Sequence, residues 1–326
     1  MNTVSRRKVL AATSAALPFL LLSRVAAAAV EHFEIATGEY GGIYFPLGNS
    51  ICRLLNRDSG DAGSTCSGEA SAGSVANIAA LRDATSAAAL IQSDVVQAAQ
   101  AATGVFAGTS PFDSLRVVCR AHAEPFTVLA SRKSAIQGLD DLPGKRIGIG
   151  ILATGQRATV DTLARDLGWS PESFSSVLEL ESGAEISALC DDRVDAILLQ
   201  VGHPSGWIQE ATLACDARLV PVTGPKIDAI IAKYPYYEKV PIPGGLYRDH
   251  PADIPSFGTR ALLVTTAKAP DQLAYALAAA VFENFEVLTQ LVPALATLDA
   301  ETAMPTGVPA PTHSGAEQYF RERGML

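Results

Sequence analysis

Two short apolar runs, each ending in a glutamine, constrain the fold of this chain more than any other feature. Residues 87–91 precede Gln92, and residues 194–199 precede Gln200. A largely apolar run bounded by turns is typical of a strand buried on both faces, as in a parallel sheet covered by helices. Each run is followed by a loop and a predicted helix start, so both glutamines are expected at the carboxyl ends of parallel strands.

The segments that contain these runs can be aligned as an internal repeat. Residues 81–92 and 189–200 both read as a helix end, a turn, an apolar strand and the glutamine. Ligands of parallel α/β sheets bind outside the carboxyl ends of the strands. Two lobes that face each other would therefore place Gln92 and Gln200 on opposite walls of one cleft. The alternative is a chance similarity, because helix–turn–strand segments share common chemistry.

Strand and helix patterns alternate along the chain, which predicts an α/β protein with mostly parallel sheets. Residues 115–120 and 126–130 are predicted as separate strands. The length of 326 residues suffices for two domains, and 48% hydrophobic with 18% charged residues is typical of a globular chain.

A glycine-rich loop joins the first predicted strand to the first predicted helix. Gly41 and Gly42 permit a tight turn, and Pro46 suits the first helical position. First-turn N–H groups lack partners within the helix and carry the positive end of its dipole, so the loop is either an anion site or an ordinary tight turn. Ser74 and Thr154 are N-cap candidates elsewhere. The further loops predicted at helix starts are residues 71–74, 154–157 and 202–206.

The first residues read as an export signal, which is excluded from the fold. Arg6 and Arg7 lie in a twin-arginine pattern, residues 9–22 are largely apolar, and the alanines up to Ala29 suit cleavage there. The apolar run is short for a membrane span, and an uncleaved anchor is the alternative. The chain is therefore expected in the periplasm, with residues 1–29 removed.

The chain is strongly acidic once this leader is removed. The full sequence carries a net charge of −9 at pH 7, and the leader has four basic and no acidic residues, so the remainder carries −13. An acidic chain without a basic cluster is a poor match for nucleic acid or for an anionic membrane surface.

The cysteines are spaced for disulfides rather than for a metal. None of them forms a C-x-x-C motif, which argues against a zinc or thioredoxin-type site. An exported chain meets an oxidising compartment, where cysteine pairs persist. Cys52 lies on the first predicted helix and Cys66 begins the next strand, while Cys190 ends a helix and Cys215 precedes a strand. The hypothesis is Cys52–Cys66 and Cys190–Cys215, with Cys119 left unpaired.

Motifs for catalysis or cofactors are weak in this sequence. Residues 148–153 match G-x-G-x-x-A, but no acidic residue ends a second strand at the required distance, so a nucleotide site is not expected. The histidines show no metal-binding spacing. His203 and Asp94 could be the base and acid of a hydrolase, but no fixed nucleophile accompanies them. We expect no enzyme activity, no cofactor and no metal.

Short segments spread over essentially the whole mature chain match one family pattern. They are residues 41–48 (GGIYFPLG), 92–94 (QSD), 124–126 (EPF), 142–146 (LPGKR), 155–158 (GQRA), 201–204 (VGHP) and 308–316 (VPAPTHSGA). Through them the chain resembles the solute-binding proteins of TAXI-type tripartite ATP-independent periplasmic (TRAP) transporters. It departs from the pattern at Ser71-Ala72, where the family has Thr-Gly, and at Phe45, where the family has a second tyrosine. Both departures bear on ligand choice.

The resemblance implies a periplasmic-binding-protein-like (type II) fold, with two parallel-sheet lobes and a ligand cleft between them. Residues 30–126 with 256–326 would form one lobe and residues 127–255 the other, with hinge strands near 126–130 and 259–263. Such a protein captures a small organic anion, mainly a carboxylate such as glutamate or 2-oxoglutarate, and delivers it to a membrane permease. A periplasmic sensor for a signalling partner would have the same sequence features, and a hydrolase is the other alternative.

The loop positions and the resemblance together select the residues expected to contact the ligand. Tyr44 would pack on it or donate a hydrogen bond. Ser74 and the backbone of residues 154–156 would bind a carboxylate at helix starts, and Gln92 would hold polar groups. The full set of expected contacts is Tyr44, Ser74, Gln92, Thr154, Gly155, Gln156, Arg157 and His203.

Overall fold

The computed structural model describes residues 32–59 and 65–326, and the predicted leader, residues 1–29, lies outside them. The described strands are β1 (His32–Ala36), β2 (Thr65–Glu69), β3 (Ala88–Gln92), β4 (Leu115–Ser131), β5 (Arg146–Gly150), β6 (Ser176–Leu180), β7 (Ala196–Gln200), β8 (Ala217–Val220), β9 (Glu238–Lys239) and β10 (Phe257–Thr266). The described α-helices are α1 (Tyr44–Ser59), α2 (Ser74–Arg82), α3 (Ser93–Ala101), α4 (Gly155–Leu167), α5 (Ser182–Cys190), α6 (Gly206–Ala214), α7 (Pro225–Lys233), α8 (Asp271–Phe282), α9 (Phe285–Leu291) and α10 (Ser314–Glu322).

One long strand, β4, belongs to two sheets. Residues 115–125 of β4 pair with β10 in the first sheet, which also contains β1, β2, β3 and β9. Residues 126–131 pair with β7 and β8 in the second sheet, which also contains β5 and β6. The prediction of separate strands at 115–120 and 126–130 is therefore wrong, because pairing with different neighbours carries one strand through both sheets. The division of the chain into two lobes stays a prediction.

The sheets are mixed. β1 pairs in parallel with β2 and β3, and β5 pairs in parallel with β6 and β7. β10 runs antiparallel to β3 and β4, and β4 runs antiparallel to β7 and β8. The expectation of mostly parallel sheets fails at these strands, because the chain passes between the sheets along β4 and returns along β10.

The two apolar runs form strands β3 and β7, and every residue of both strands is buried. This confirms the prediction from the runs. Apolar clusters on the two faces of the first sheet are covered by α1, α8 and α10 on one side and by α2 and α3 on the other. On the second sheet, α4 and α7 cover one face and α5 and α6 the other. Helices on both faces explain why these strands are apolar throughout.

Two disulfide bonds join neighbouring elements of the fold. Cys52 of α1 is bonded to Cys66 of β2, with Cα atoms 4.9 Å apart. Cys190 of α5 is bonded to Cys215, which follows α6, with Cα atoms 4.8 Å apart. These are the pairs named by the sequence hypothesis, and Cys119 is buried in β4 as a free thiol. Within residues 32–59 and 65–326, no helix has the length and hydropathy of a membrane span.

Candidate ligand-binding site

A cavity of about 90 Å³ lies where loops of the first sheet face loops of the second. We call the lining residues up to position 124 the first wall and those from position 154 onward the second wall. The lining consists of Gly38, Glu39, Gly42, Ile43, Tyr44, Ala72, Gly73, Ser74, Gln92, Glu124, Thr154, Gly155, Gln156, Ser182, Gln200, Val201 and Trp207. A cavity of this size holds a small molecule and not a polymer.

Several helices begin at this lining. Tyr44, Ser74, Gly155 and Ser182 are the first residues of α1, α2, α4 and α5, and each of them lines the cavity. The first N–H groups of a helix have no intrahelical partners and carry the positive end of its dipole. These helix starts therefore favour a negative charge nearby, although the described lining contains Glu39 and Glu124 and no lysine, arginine or histidine.

The caps of α2 and α4 differ. Thr154 is the N-cap of α4 as predicted, because its side chain accepts from the Arg157 N–H at 3.1 Å. Ser74 is the first residue of α2 and not its N-cap, which is Gly73. The Ser74 hydroxyl instead accepts from the backbone N–H of Gln92 at 3.1 Å, so it ties the helix start to the end of β3. α1 likewise begins at Tyr44, two residues before the proline predicted to start it.

Glu124 places a buried carboxylate in the first wall. It lies within β4 and is only 4% exposed. The Tyr44 hydroxyl donates to Glu124 Oε2 at 3.0 Å, and His122 Nε2 lies 3.2 Å from Glu124 Oε1. Glu124 was not among the expected ligand contacts. A signal for it exists in the sequence, since Glu124 is the one acidic residue of β4 and a buried carboxylate is costly unless something pairs with it.

The two repeat-related glutamines lie on opposite walls, as the repeat predicts. The Gln200 amide donates to the carbonyl oxygen of Glu124 and, at 3.0 Å, to Thr259 Oγ1. The side-chain oxygens of Gln92 and Gln200 are both buried and have no hydrogen-bond partner among the described residues. Buried acceptors are usually hydrogen-bonded, so these two oxygens are the acceptors of the lining that remain available to a bound molecule.

The side chain of Gln156 is held by hydrogen bonds to residues outside the cavity lining. Its Nε2 donates to both carboxylate oxygens of Glu185, at 2.8 and 3.0 Å, and to the Leu198 carbonyl at 2.7 Å. Burial raises the pKa of Glu185 to about 8, and the Gln156 bond only partly opposes this. A group with this pKa is mostly uncharged at pH 7, so Glu185 adds little negative charge behind the cavity.

The walls touch each other around the cavity. A Cβ atom at Gly41 would lie 2.8 Å from the Trp207 indole, and one at Gly155 would overlap Gln92 Oε1. Glu39 of the first wall hydrogen-bonds to Ser182, the first residue of α5, and burial raises the pKa of Glu39. The walls can approach this closely only because Gly41 and Gly155 carry no side chain.

A family model described as the NMT1-like family matches residues 35–324. The chain belongs to the NMT1-like family. Solved structures with the same overall fold include MatC from Rhodopseudomonas palustris with bound malate, with a TM-score of 0.57 and 14% identity over 91% of this chain and 99% of MatC. A protein from Bordetella bronchiseptica RB50 gives 0.55 and 15% over 90% and 98%. The periplasmic binding protein BugD gives 0.53 and 13% over 90% and 97%. These likenesses show the α/β fold of periplasmic binding proteins.

In this NMT1-like chain, Arg157 points away from the cavity. Its Nε lies 2.8 Å from Asp161 Oδ1, and its Nη1 lies 2.8 Å from Glu179 Oε1. These two carboxylates, on α4 and β6, draw the guanidinium to the outer face of the second sheet. Arg157 therefore does not line the cavity.

His203 also lies outside the lining of the NMT1-like site. Its Nε2 is 2.9 Å from Thr127 Oγ1 and its Nδ1 is 2.7 Å from the Tyr247 hydroxyl, so both ring nitrogens are engaged by side chains outside the cavity lining. Burial lowers the pKa of His203 to about 3. The loop at residues 202–206 thus contributes to the cavity only through its neighbours Val201 and Trp207.

Glu39 lies in the glycine-rich loop before α1, one of the loops expected at the cleft of this NMT1-like site. Ser182 and Trp207 lie outside the expected loops and were missed, because they reach the cavity only where distant parts of the chain meet.

Proposed function

We propose that this chain is an exported receptor that captures a small carboxylate in the cavity and delivers it to the membrane permease of a TAXI-type TRAP transporter. The observation that carries the proposal is the group of helix N-termini at the lining of one small cavity between two walls. Backbone N–H groups at helix starts bind carboxylates without a basic side chain.

The ligand carboxylate would lie at the starts of α2 and α4, next to Ser74, Gly155 and Gln156. Glutamate and 2-oxoglutarate are the compounds that the family resemblance suggests. The structure of MatC contains malate, another small carboxylate, in a protein of the same fold. The export signal and the fold support a periplasmic location, and the permease is the membrane partner.

A hydrolase is not proposed. Its base and acid would be His203 and Asp94, but His203 is bound to Thr127 and Tyr247 on both nitrogens. Asp94 accepts from Thr159 Oγ1 at 2.7 Å and lies outside the cavity lining. Both side chains are therefore engaged in structural hydrogen bonds outside the cavity lining.

A thermal-shift screen of residues 30–326 tests the proposal. The compounds are amino acids and mono-, di- and oxo-carboxylates, because a ligand at 100 times its Kd adds about 2.7 kcal/mol to the free energy of unfolding. We expect at least one carboxylate to raise the melting temperature. Tyr44→Phe, which removes a hydroxyl at the cavity, should reduce the shift, and Arg157→Ala, which changes the outer face, should not. No shift with any carboxylate would reject the proposal.

A further inference from the structure

The walls of the cavity meet at two separate places. At one of them, Gly155 lies against the side chains of Gln92 and Ser74, next to the helix starts proposed to hold the carboxylate. At the other, the side chain of Trp207 lies against Gly41. Because Ser74 and Trp207 both line the cavity, the space for a ligand lies between these two contacts.

Trp207 has the bulkiest side chain of the described lining, and its ring is held on both sides. On its own side it packs on the apolar cluster between α5, α6 and the second sheet. On the other side, a Cβ atom at Gly41 would lie 2.8 Å from the indole Nε1, and one at Gly42 would lie 3.6 Å from Cη2. The ring therefore covers two consecutive glycines and closes the cavity at this place.

The opposite wall is also fixed close to the ring. Glu39, two residues before Gly41, hydrogen-bonds to Ser182 at the start of α5. A ligand long enough to reach the indole must therefore displace the ring from its apolar cluster or separate the walls. Either change is unfavourable, because closely packed side chains do not accommodate even one extra methylene without strain.

We propose that Trp207 determines the longest solute that the cavity accepts, because the end of the ligand remote from the carboxylate stops against the indole. This inference rests on the proposed function and names a specificity-determining residue of the same site. Tyr44, the other aromatic residue of the described lining, donates to Glu124 within the first wall, whereas Trp207 reaches from one wall to the other. One methylene too many in a fitted pocket lowers affinity by roughly tenfold or more.

Two series of acids test this inference on residues 30–326 by calorimetric titration. They are the straight-chain monocarboxylates from acetate to octanoate and the dicarboxylates from malonate to suberate. In the native protein, the affinity within a series that binds should fall roughly tenfold or more at one chain length. In Trp207→Ala that fall should move to a longer acid, so the first acid that the native protein excludes should bind roughly tenfold or more tightly.

Trp207→Phe keeps a smaller ring on the apolar cluster, so its length limit should lie between those of the other two proteins, and it decides the question if the alanine variant does not fold. Trp169→Phe is the matched control, because that indole lies outside the lining and its loss should leave the limit unchanged. A limit at the same length in the native protein and both Trp207 variants, or no limit in the native protein, would overturn the inference and leave the proposed function standing. The absence of binding by every acid would overturn both.

Gly41→Ala assigns the limit to the contact between the walls. Its methyl would press on the indole, so the affinity for every acid that binds should fall about tenfold in the native background. The same substitution in Trp207→Ala should have little effect, because the ring that it meets is gone. Equal losses in both backgrounds would contradict the assignment.

Discussion

The ends of β3 and β7 are equivalent in the internal repeat, yet their polar side chains are held differently. At the end of β7, Gln200 donates to two acceptors, Glu124 and Thr259. At the end of β3, the Gln92 side-chain oxygen has no partner and lies against Gly155 of the opposite wall. One glutamine is anchored before any ligand arrives, and the other faces the opposite wall.

The residues that follow the two glutamines continue this difference. Asp94 reaches from the end of β3 to the other side, where Thr159 donates at 2.7 Å and Tyr237 lies 3.3 Å away. His203, after β7, bonds only to Thr127 and Tyr247 on its own side. At the β7 end, Gln200 is therefore held by two residues of the first sheet and His203 by residues on its own side. At the β3 end, the contacts of Asp94 with Thr159 and Tyr237 depend on where the other side lies. The internal repeat places the two strand ends in equivalent positions, but different hydrogen-bond partners give their polar side chains different functions.

The largest expected effect is a pair of opposite pH dependences at the two strand ends. Burial raises the pKa of Asp94 from 3.8 to about 6, so the folded chain holds this proton more tightly and stability rises as pH falls from 6 towards 4. Burial lowers the pKa of His203 from 6.5 to about 3, so only the unfolded chain takes up this proton and stability falls as pH drops below 6.5. In the native protein the two effects oppose each other.

Single substitutions should separate them. Between pH 6.5 and 4.5, Asp94→Asn should lose about 2 kcal/mol more stability than the native chain, and His203→Gln about 2 kcal/mol less. Urea unfolding at the two pH values measures both differences. Equal pH dependence in all three proteins would show that neither group titrates as its burial requires.

A smaller effect is expected at the contact between the walls. In Gly155→Ala the new methyl would overlap Gln92 Oε1 and lie 2.8 Å from Ser74 Oγ, so the walls cannot approach as closely. Overpacking of this kind costs on the order of 1–3 kcal/mol, and we expect ligand affinity to fall about tenfold. Isothermal titration measures it. Gly183→Ala is the matched control, because a Cβ there meets no atom within 4 Å. The same loss in both variants would remove Gly155 from the wall contact.

The smallest expected effect is a difference in unfolding free energy between substitutions of the two glutamines. Gln200→Leu leaves the Glu124 carbonyl and Thr259 without their donor, so the ligand-free protein should lose about 1 kcal/mol of unfolding free energy. Gln92→Leu removes an amide whose oxygen is unpaired and should change that free energy by less than about 0.5 kcal/mol. Urea unfolding without ligand compares them. Equal losses would mean that the two strand ends are held alike.

The sequence predicts the features that depend on local pattern. The apolar runs before Gln92 and Gln200 predict β3 and β7, because a strand that is buried on both faces is apolar at nearly every position. Thr154 is predicted as an N-cap because the partner of its hydroxyl is the backbone N–H of Arg157, only three residues further along the chain. Most of the expected contacts line the cavity for the same reason, since strand ends and helix starts locate them.

Other features depend on partners far along the chain. The single strand β4 exists because β10, β7 and β8 pair with successive parts of it. The direction of Arg157 is decided by Asp161 and Glu179, and Glu179 lies on another strand. Glu124 becomes a site residue only because Tyr44 and Gln200 are brought to it. Hydrophobic periodicity along the sequence does not predict these long-range contacts.

The contact between Trp207 and Gly41 gives the protein an optical readout of its own. The sequence has two tryptophans, and Trp169 packs on Phe174 between α4 and β6, outside the cavity lining. In a Trp169→Phe background, all indole emission would come from a ring that lies against the opposite wall. Separation of the walls hydrates that ring and shifts its spectrum, so solutes can be ranked by fluorescence without a label or a permease.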